Sequence, residues 1–209
     1  MIKIEFENLK LQLISSEDLE QLRIWRNSPH VSMQMEHQEL ITEKDHLHWY
    51  ESLNKSNNLY FKILVSAIPI GIVNLKNIDW NRHEAEAGVF VGREDFIGTI
   101  SPIVAIFIFT KTMFNCFGFE KLRAKIAKEN INALQFNKEL GYRFFENVNE
   151  KFDKYVCTKN AFNSPHSSFS KIRDLFRGNS AIRVYFDKGY PSALKDINNE
   201  HSIFEVFYL

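Results

Sequence analysis

The chain has 209 residues, 44% hydrophobic and 25% charged, with 26 basic and 26 acidic side chains and no formal net charge. That length fits one domain with a small appendage, and the charge balance argues against a nucleic-acid partner held on a broad basic surface. Two cysteines, Cys116 and Cys157, are too few for a disulfide framework, and no spacing resembles a metal site.

The N-terminal Met-Ile-Lys-Ile-Glu-Phe-Glu lacks the layout of a signal peptide. The most apolar run, Ile103 to Phe109, falls far short of the roughly 20 residues that span a bilayer. A reduced, cytoplasmic protein with no membrane partner is the expectation. Leu11-Gln-Leu-Ile14 alternates as a first strand. Ser16 serves as N-cap of a helix that carries Leu19, Leu22, Trp25 and Arg26, and Pro29 ends it by pushing Ser28 out of the helical region. Val31 to Met35 reads as an irregular connection. Thr42 then caps a second helix through His46, Trp49 and Leu53.

Tyr60 to Val65 and Ile70 to Leu75 pair as a hairpin, and Glu84 to Gly92 is the next strand, with small and apolar residues on both faces. The turn Arg93-Glu-Asp-Phe-Ile-Gly98-Thr-Ile-Ser101 leads to Pro102 and a buried helix, with Ser101 as N-cap and Pro102 as first helical residue. Glu120 to Ala127 is a strand, Asn130-Ile-Asn-Ala133 starts a helix that closes on Leu140-Gly141-Tyr142, and two strands follow at Arg143 to Val148 and Lys154 to Thr158. Asn160 to Ser170 reads as a linker. Beyond it lie a helical stretch, Phe169 to Phe176, and strands at Ala181 to Phe186 and Ile203 to Tyr208. The aromatic content of this tail is too high for a solvated disordered segment. It is expected to pack on the core or on a second subunit, which makes a homodimer conceivable.

Four features occur in a telling order: Trp25-Arg-Asn27; Ile41-Thr-Glu-Lys-Asp-His46-Leu-His-Trp49; Ile70-Gly71-Ile-Val-Asn-Leu with Ile78-Asp79; and Phe96-Ile-Gly98-Thr99 with Asn130-Ile-Asn-Ala133 and Leu140-Gly141-Tyr142. From about Leu11 to Cys157 the chain thereby resembles the GNAT superfamily of acyl-CoA-dependent N-acyltransferases. Within it, the chain is similar to the branch that acetylates nucleotide-linked amino sugars, itself related to ribosomal-protein N-terminal acetyltransferases. The resemblance implies an α+β fold: a mixed, mostly antiparallel sheet splayed between its fourth and fifth strands, helices on both faces, and an extra C-terminal segment. It divides the chain into an acetyltransferase domain, 1–159, and a C-terminal extension, 160–209. Acetyl-CoA would lie in the opening, with a small-molecule amine entering from the other side.

Amide formation from a thioester needs a neutral amine, so an ammonium substrate must lose a proton to a base or a water chain. Glu86 is the first candidate, followed by Glu84 on the same strand face and nearby His83. Backbone N–H groups around Phe90 and Val91 would meet the oxyanion. Gly98, Thr99 and Ser101 at a helix N-terminus suit the CoA pyrophosphate. Ile100 and Pro102, however, stand where the family places small residues, and loss of one charge-assisted donor costs roughly 1.5–3 kcal/mol. Asn130 caps its helix or touches the cofactor. Asn137 occupies a position where many relatives carry an acidic tyrosine, so water would relay that proton.

Trp25, Arg26, Asn27, His46 and Trp49 cover the acceptor side. Aromatic faces suit a sugar or nucleobase, and Arg26 suits a diphosphate. Met33 and Met35 lie on the same loop. The leading expectation is acetyl transfer to the amino group of a nucleotide-linked deoxyamino sugar. The alternatives are a protein N-terminus or small amine as acceptor, and a non-catalytic module whose CoA turn has decayed.

Overall fold

Ten strands form one sheet in the structure, a computed structural model that describes residues 2–164, 181–186 and 204–208. The strands are β1 (Ile2–Phe6), β2 (Leu9–Leu13), β3 (Leu59–Val65), β4 (Ile68–Asp79), β5 (Glu84–Val91), β6 (Lys121–Ala127), β7 (Arg143–Asn147), β8 (Phe152–Thr158), β9 (Ile182–Phe186) and β10 (Phe204–Tyr208). Their order across the sheet is β10-β9-β1-β2-β3-β4-β5-β6-β8-β7. The helices are α1 (Leu19–Asn27), α2 (Pro29–Ser32), α3 (Glu43–Ser52), α4 (Ile100–Asn115), α5 (Ile131–Leu140) and α6 (Lys159–Asn163).

Strand alternation sorts the side chains to two faces. On one face Leu11, Phe61, Ile63, Val73, Leu75 and Ala85 bury against Phe107, Phe109 and Phe114 of α4. Full burial of each such aromatic contributes about 1.5–3 kcal/mol, which makes α4 the spine of the core. On the other face Leu22 and Trp25 of α1 close over Ile72 with Tyr60 and Phe90. Helices therefore cover both faces, as the resemblance implies.

Several boundaries differ from expectation. The N-terminal segment forms β1, antiparallel to β2 on one side and to β9 on the other. Its Ile2, Ile4 and Phe6 are buried while Lys3 and Glu5 face outward. Ser15, not Ser16, precedes the first helical turn, and its N–H donates to Asp18 at 2.8 Å. Residues Pro29–Ser32 make a helical turn where an irregular connection was expected. The expected 1–159 boundary falls at the start of α6, where a linker was read: Thr158 Oγ1 accepts from Ala161 N, and Phe162 is buried against Phe107 and Phe114. β9 and β10 extend the sheet beyond β1, with Tyr185 stacked on Phe207. The expected helix at Phe169 to Phe176 lies outside the described residues. Among the described residues no helix is long and apolar enough to cross a membrane.

Candidate active site

β5 and β6 run parallel and pair only at Glu84–Lys121, Ala85–Leu122 and Glu86–Arg123. Past Glu86 the two strands part. β5 stays paired with β4 as far as Val91, and β6 stays paired with β8 along its whole length. The result is a V-shaped opening between the fifth and sixth strands, the same two counted as fourth and fifth before β1 was known. The N–H of Gly92 bonds to the Ile70 carbonyl on the β4 side at 2.9 Å. Alternation then turns the Val89 and Val91 amides toward the open edge and the Phe90 amide toward β4. Of the two positions expected to supply the oxyanion donor, Val91 has the amide on the open edge.

A double ion pair locks the closed end of the V. Glu84, 11% exposed at its side chain, meets Lys121 Nζ at 3.0 Å and also accepts from Arg123 Nη2. Lys121, then Arg123, hold its carboxyl below the usual range. Glu86 faces the same side two residues on but meets Lys76 Nζ at 2.8 Å instead. His83 precedes β5 with a positive φ of 53°, and its carbonyl accepts from Glu120 N.

At the mouth, Gly98 turns the chain with φ +77°, and a Cβ there would meet nothing within 4 Å. The N-cap of α4 is Thr99 rather than Ser101, and the helix begins at Ile100. The Thr99 hydroxyl donates to the Phe96 carbonyl at 2.8 Å and makes no cap bond to the helix. First-turn N–H groups have no intrahelical acceptor, and here Ile100 and Ser101 present two of them. Pro102 falls third in the helix, where its missing N–H breaks no helical bond. Asn130 Oδ1 caps α5 by accepting from Ala133 N at 3.0 Å, and Asn137 Nδ2 donates to the Ala133 carbonyl at 2.8 Å. Exposed Val89, Ile97, Ile100 and Ile131 add apolar surface to the elements bordering the opening. An open strand edge, a helix N-terminus and apolar flanks fit a pantetheine chain with its pyrophosphate.

The acceptor side is a polar floor beneath α1 and α3. Tyr60 of β3, Asn74 of β4 and Gly88 of β5 form one cross-strand row, with Lys76 and Glu86 in the next. Burial, opposed by Arg26 and assisted by Glu86, pushes the Tyr60 phenol up to about 12. Burial likewise pulls the Arg26 guanidinium down, although arginine remains a cation. No carboxylate among the described residues pairs with Arg26. His46 is 7% exposed, stacks on Trp49 with ring centroids 5.1 Å apart, and has a buried Nδ1 without a partner among the described residues. Burial, then neighbouring Arg26 and Arg23, lowers its pKa against the opposing bond to the Leu19 backbone. Trp49 meets Tyr60 edge-on at 5.1 Å.

The other two expected acceptor residues, Trp25 and Asn27, make contacts within the fold. Trp25, 6% exposed, lies on Gly92, where a Cβ would come within 2.1 Å of its Cδ2. Asn27 bonds the backbone of Ile41 twice, at 2.9 Å each, and so ties the intervening loop to α1. Glu36 of that loop reaches Lys125 of β6 at 2.7 Å, and Met33 borders a groove with Ala127 and Lys128 at the open end of the V. Sequence reading missed Tyr60, Asn74 and Lys76. Asn74 carried a signal, a carboxamide inside the apolar run Ile70–Leu75, where strands disfavour it. Among the described residues no group of three His, Cys, Asp or Glu gathers as a metal site.

A sheet parted between parallel strands, with a helix N-terminus at the mouth and a polar floor behind it, defines an acyl-CoA-dependent acyltransferase. The chain belongs to the acetyltransferase (GNAT) domain family, whose description matches residues 11–156. It is an N-acetyltransferase of that type, and the family uses acetyl-CoA as acyl donor. No curated protein sequence matches. Among solved structures, a domain from Methanocaldococcus jannaschii is 23% identical, with a TM-score of 0.64 over 76% of this chain and 99% of that one. Spermidine N-acetyltransferase from Vibrio cholerae, in complex with CoA and spermine, is 16% identical with a TM-score of 0.66 over 76% and 99%. FdhC, a nucleotide-linked sugar GNAT, is 18% identical with a TM-score of 0.65 over 83% and 96%. At these identities the likeness is one of fold.

Proposed function

We propose that the protein transfers the acetyl group of acetyl-CoA to an amino group of a nucleotide-linked deoxyamino sugar. The charge of the acceptor floor carries this reading. The carboxylates on that face are matched, Glu84 by Lys121 and Arg123, Glu86 by Lys76, Asp18 by Lys62 and Glu36 by Lys125, whereas Arg26 has no carboxylate among the described residues. Cations therefore outnumber anions, which favours an anionic acceptor and repels a polyamine. The resemblance of the sequence motifs to the sugar-modifying branch supports the same choice.

Acetyl-CoA supplies an activated acyl carbon; the chain's residues bind, orient and take up a proton. The Val89 and Val91 amides on the open edge of β5, with the first amides of α4, are the groups that would hold it. Glu86 takes the proton from the acceptor ammonium. Tyr60, with its phenol at about 12, stays protonated at neutral pH, and Glu84 is occupied by two cations. Lys76 holds the Glu86 carboxylate in place at 2.8 Å. Asn137, bonded within α5, is no acid, so it could not protonate a leaving thiolate, and that proton would have to come from water.

Calorimetry with acetyl-CoA, followed by thiol release with a UDP-linked 4-amino-4,6-dideoxyhexose or with spermidine, tests the proposal. Turnover should favour the nucleotide-linked amine, and Glu86→Gln should lower kcat by about a hundredfold. Preference for spermidine overturns the acceptor assignment. Absence of acetyl-CoA binding overturns the transfer itself.

A further inference from the structure

Asn74 is 8% exposed, and its Nδ2 is buried with no hydrogen-bond partner among the described residues. Buried amide donors are normally satisfied. Three part-buried asparagines of the same site region are bonded within the protein. Asn27 and Asn137 donate to the Ile41 and Ala133 carbonyls, and Asn130 accepts from a backbone amide. Asn74 makes no such bond.

Its surroundings place the carboxamide beside β5. The side chain lies across Gly88 of the neighbouring strand, where a Cβ would come within 2.8 Å of Asn74 Oδ1 and 3.3 Å of Nδ2. Gly88 is two residues beyond Glu86 on the same face, just past the point where β5 leaves β6. The absence of a side chain at Gly88 thus lets a carboxamide reach the edge of the opening, beside the carboxylate that takes up the amine's proton. Tyr60 adds a hydroxyl in the same row.

We propose that Asn74 determines acceptor specificity by donating from Nδ2 to an oxygen that the acceptor carries next to its reacting amine. The inference rests on the acyl-transfer reading and adds a requirement to it. The amine must be flanked by a hydroxyl or other oxygen acceptor, as in an amino sugar, which the methylene chain of a polyamine does not provide. A substrate oxygen satisfies a donor that the protein leaves unpaired, and an amine without that oxygen leaves it buried and unpaired in the complex.

The test uses CoA-saturated, 15N-labelled protein and two matched probes, trans-2-aminocyclohexanol and cyclohexylamine. The Asn74 carboxamide signals are those missing in Asn74→Leu, or in Asn74→Asp if the leucine variant folds poorly. These signals should move with the hydroxylated amine alone. The variant should bind that probe about tenfold more weakly and cyclohexylamine within about twofold of wild type, as expected for one hydrogen bond. Signals that ignore the hydroxylated amine, or move equally with both probes, overturn the proposal. Movement with acetyl-CoA but not CoA, before any amine is added, assigns the oxygen to the thioester and also overturns it. Failure of wild type to bind acetyl-CoA is a separate result, which strikes the transfer reading.

Discussion

Replacing Glu84 by Gln tests what holds the closed end of the cleft. Its carboxylate is 11% exposed and bridges two cations whose side chains are 48% and 32% exposed. Exposed ion pairs contribute about 0–1 kcal/mol, and removing one partner of a fully buried pair costs about 3–5 kcal/mol. A shielded anion with water-accessible partners lies between, so we expect a loss of about 1–2 kcal/mol, or about 2–8 °C in Tm at this size. The pH dependence follows from the sign of the shift. Lys121, then Arg123, depress the folded carboxyl below its ordinary value of 4.5, so near that pH the unfolded chain binds more protons. The contribution of Glu84 is therefore complete above about 4.5 and is lost as pH falls through the lower folded value. Urea unfolding of wild type and variant at about pH 7 should show the gap, and the gap should narrow progressively as the pH is taken below about 4.5. Equal stabilities at neutral pH, or a gap that persists unchanged into acid, would refute the clamp.

Pro102→Ala restores an N–H to the first turn of α4. By calorimetry it should tighten acetyl-CoA binding by up to about tenfold, whereas unchanged affinity would mean that this helix end does not meet the cofactor. Gly88→Ala places a Cβ 2.8 Å from Asn74 Oδ1; we expect about 1–3 kcal/mol of destabilisation by urea unfolding and at least about a tenfold loss of kcat/KM. His46 has a depressed pKa in the folded state, chiefly through burial, so its neutral form is the stable one. Its contribution is full above the ordinary value of 6.5 and declines below it. Wild type should lose Tm between about pH 7.5 and 5.5 more steeply than His46→Gln, and parallel curves would count against a buried neutral imidazole.

Much of the fold was legible because its signals are local. The hairpin β3–β4, the capped starts of α3 and α5 and the apolar run of α4 each declare themselves within a few residues. Segment β1 also alternates, with Ile2, Ile4 and Phe6 buried, yet a five-residue strand convinces only with its partners, and β9 arrives some 180 residues later. At α4 two cap signals compete. Ser101-Pro102 is the stronger by composition, but after Gly98 at positive φ the N-cap falls two residues earlier, at Thr99, and the helix begins at Ile100. The site divides the same way. Glu84 and Glu86 sit on one strand face, two residues apart, and the sequence ranks Glu86 first only through the resemblance, with no physical difference between the two to read. What separates them comes from 37 and 39 residues downstream, where Lys121 and Arg123 converge on Glu84. Arg123 stands opposite Glu86 in the strand register yet turns its guanidinium to Glu84. Glu86 is left to Lys76 alone, a cation whose side chain is 39% exposed. One carboxylate is thereby committed to closing the sheet, and the other, where the strands part, is the one to which we assign proton transfer.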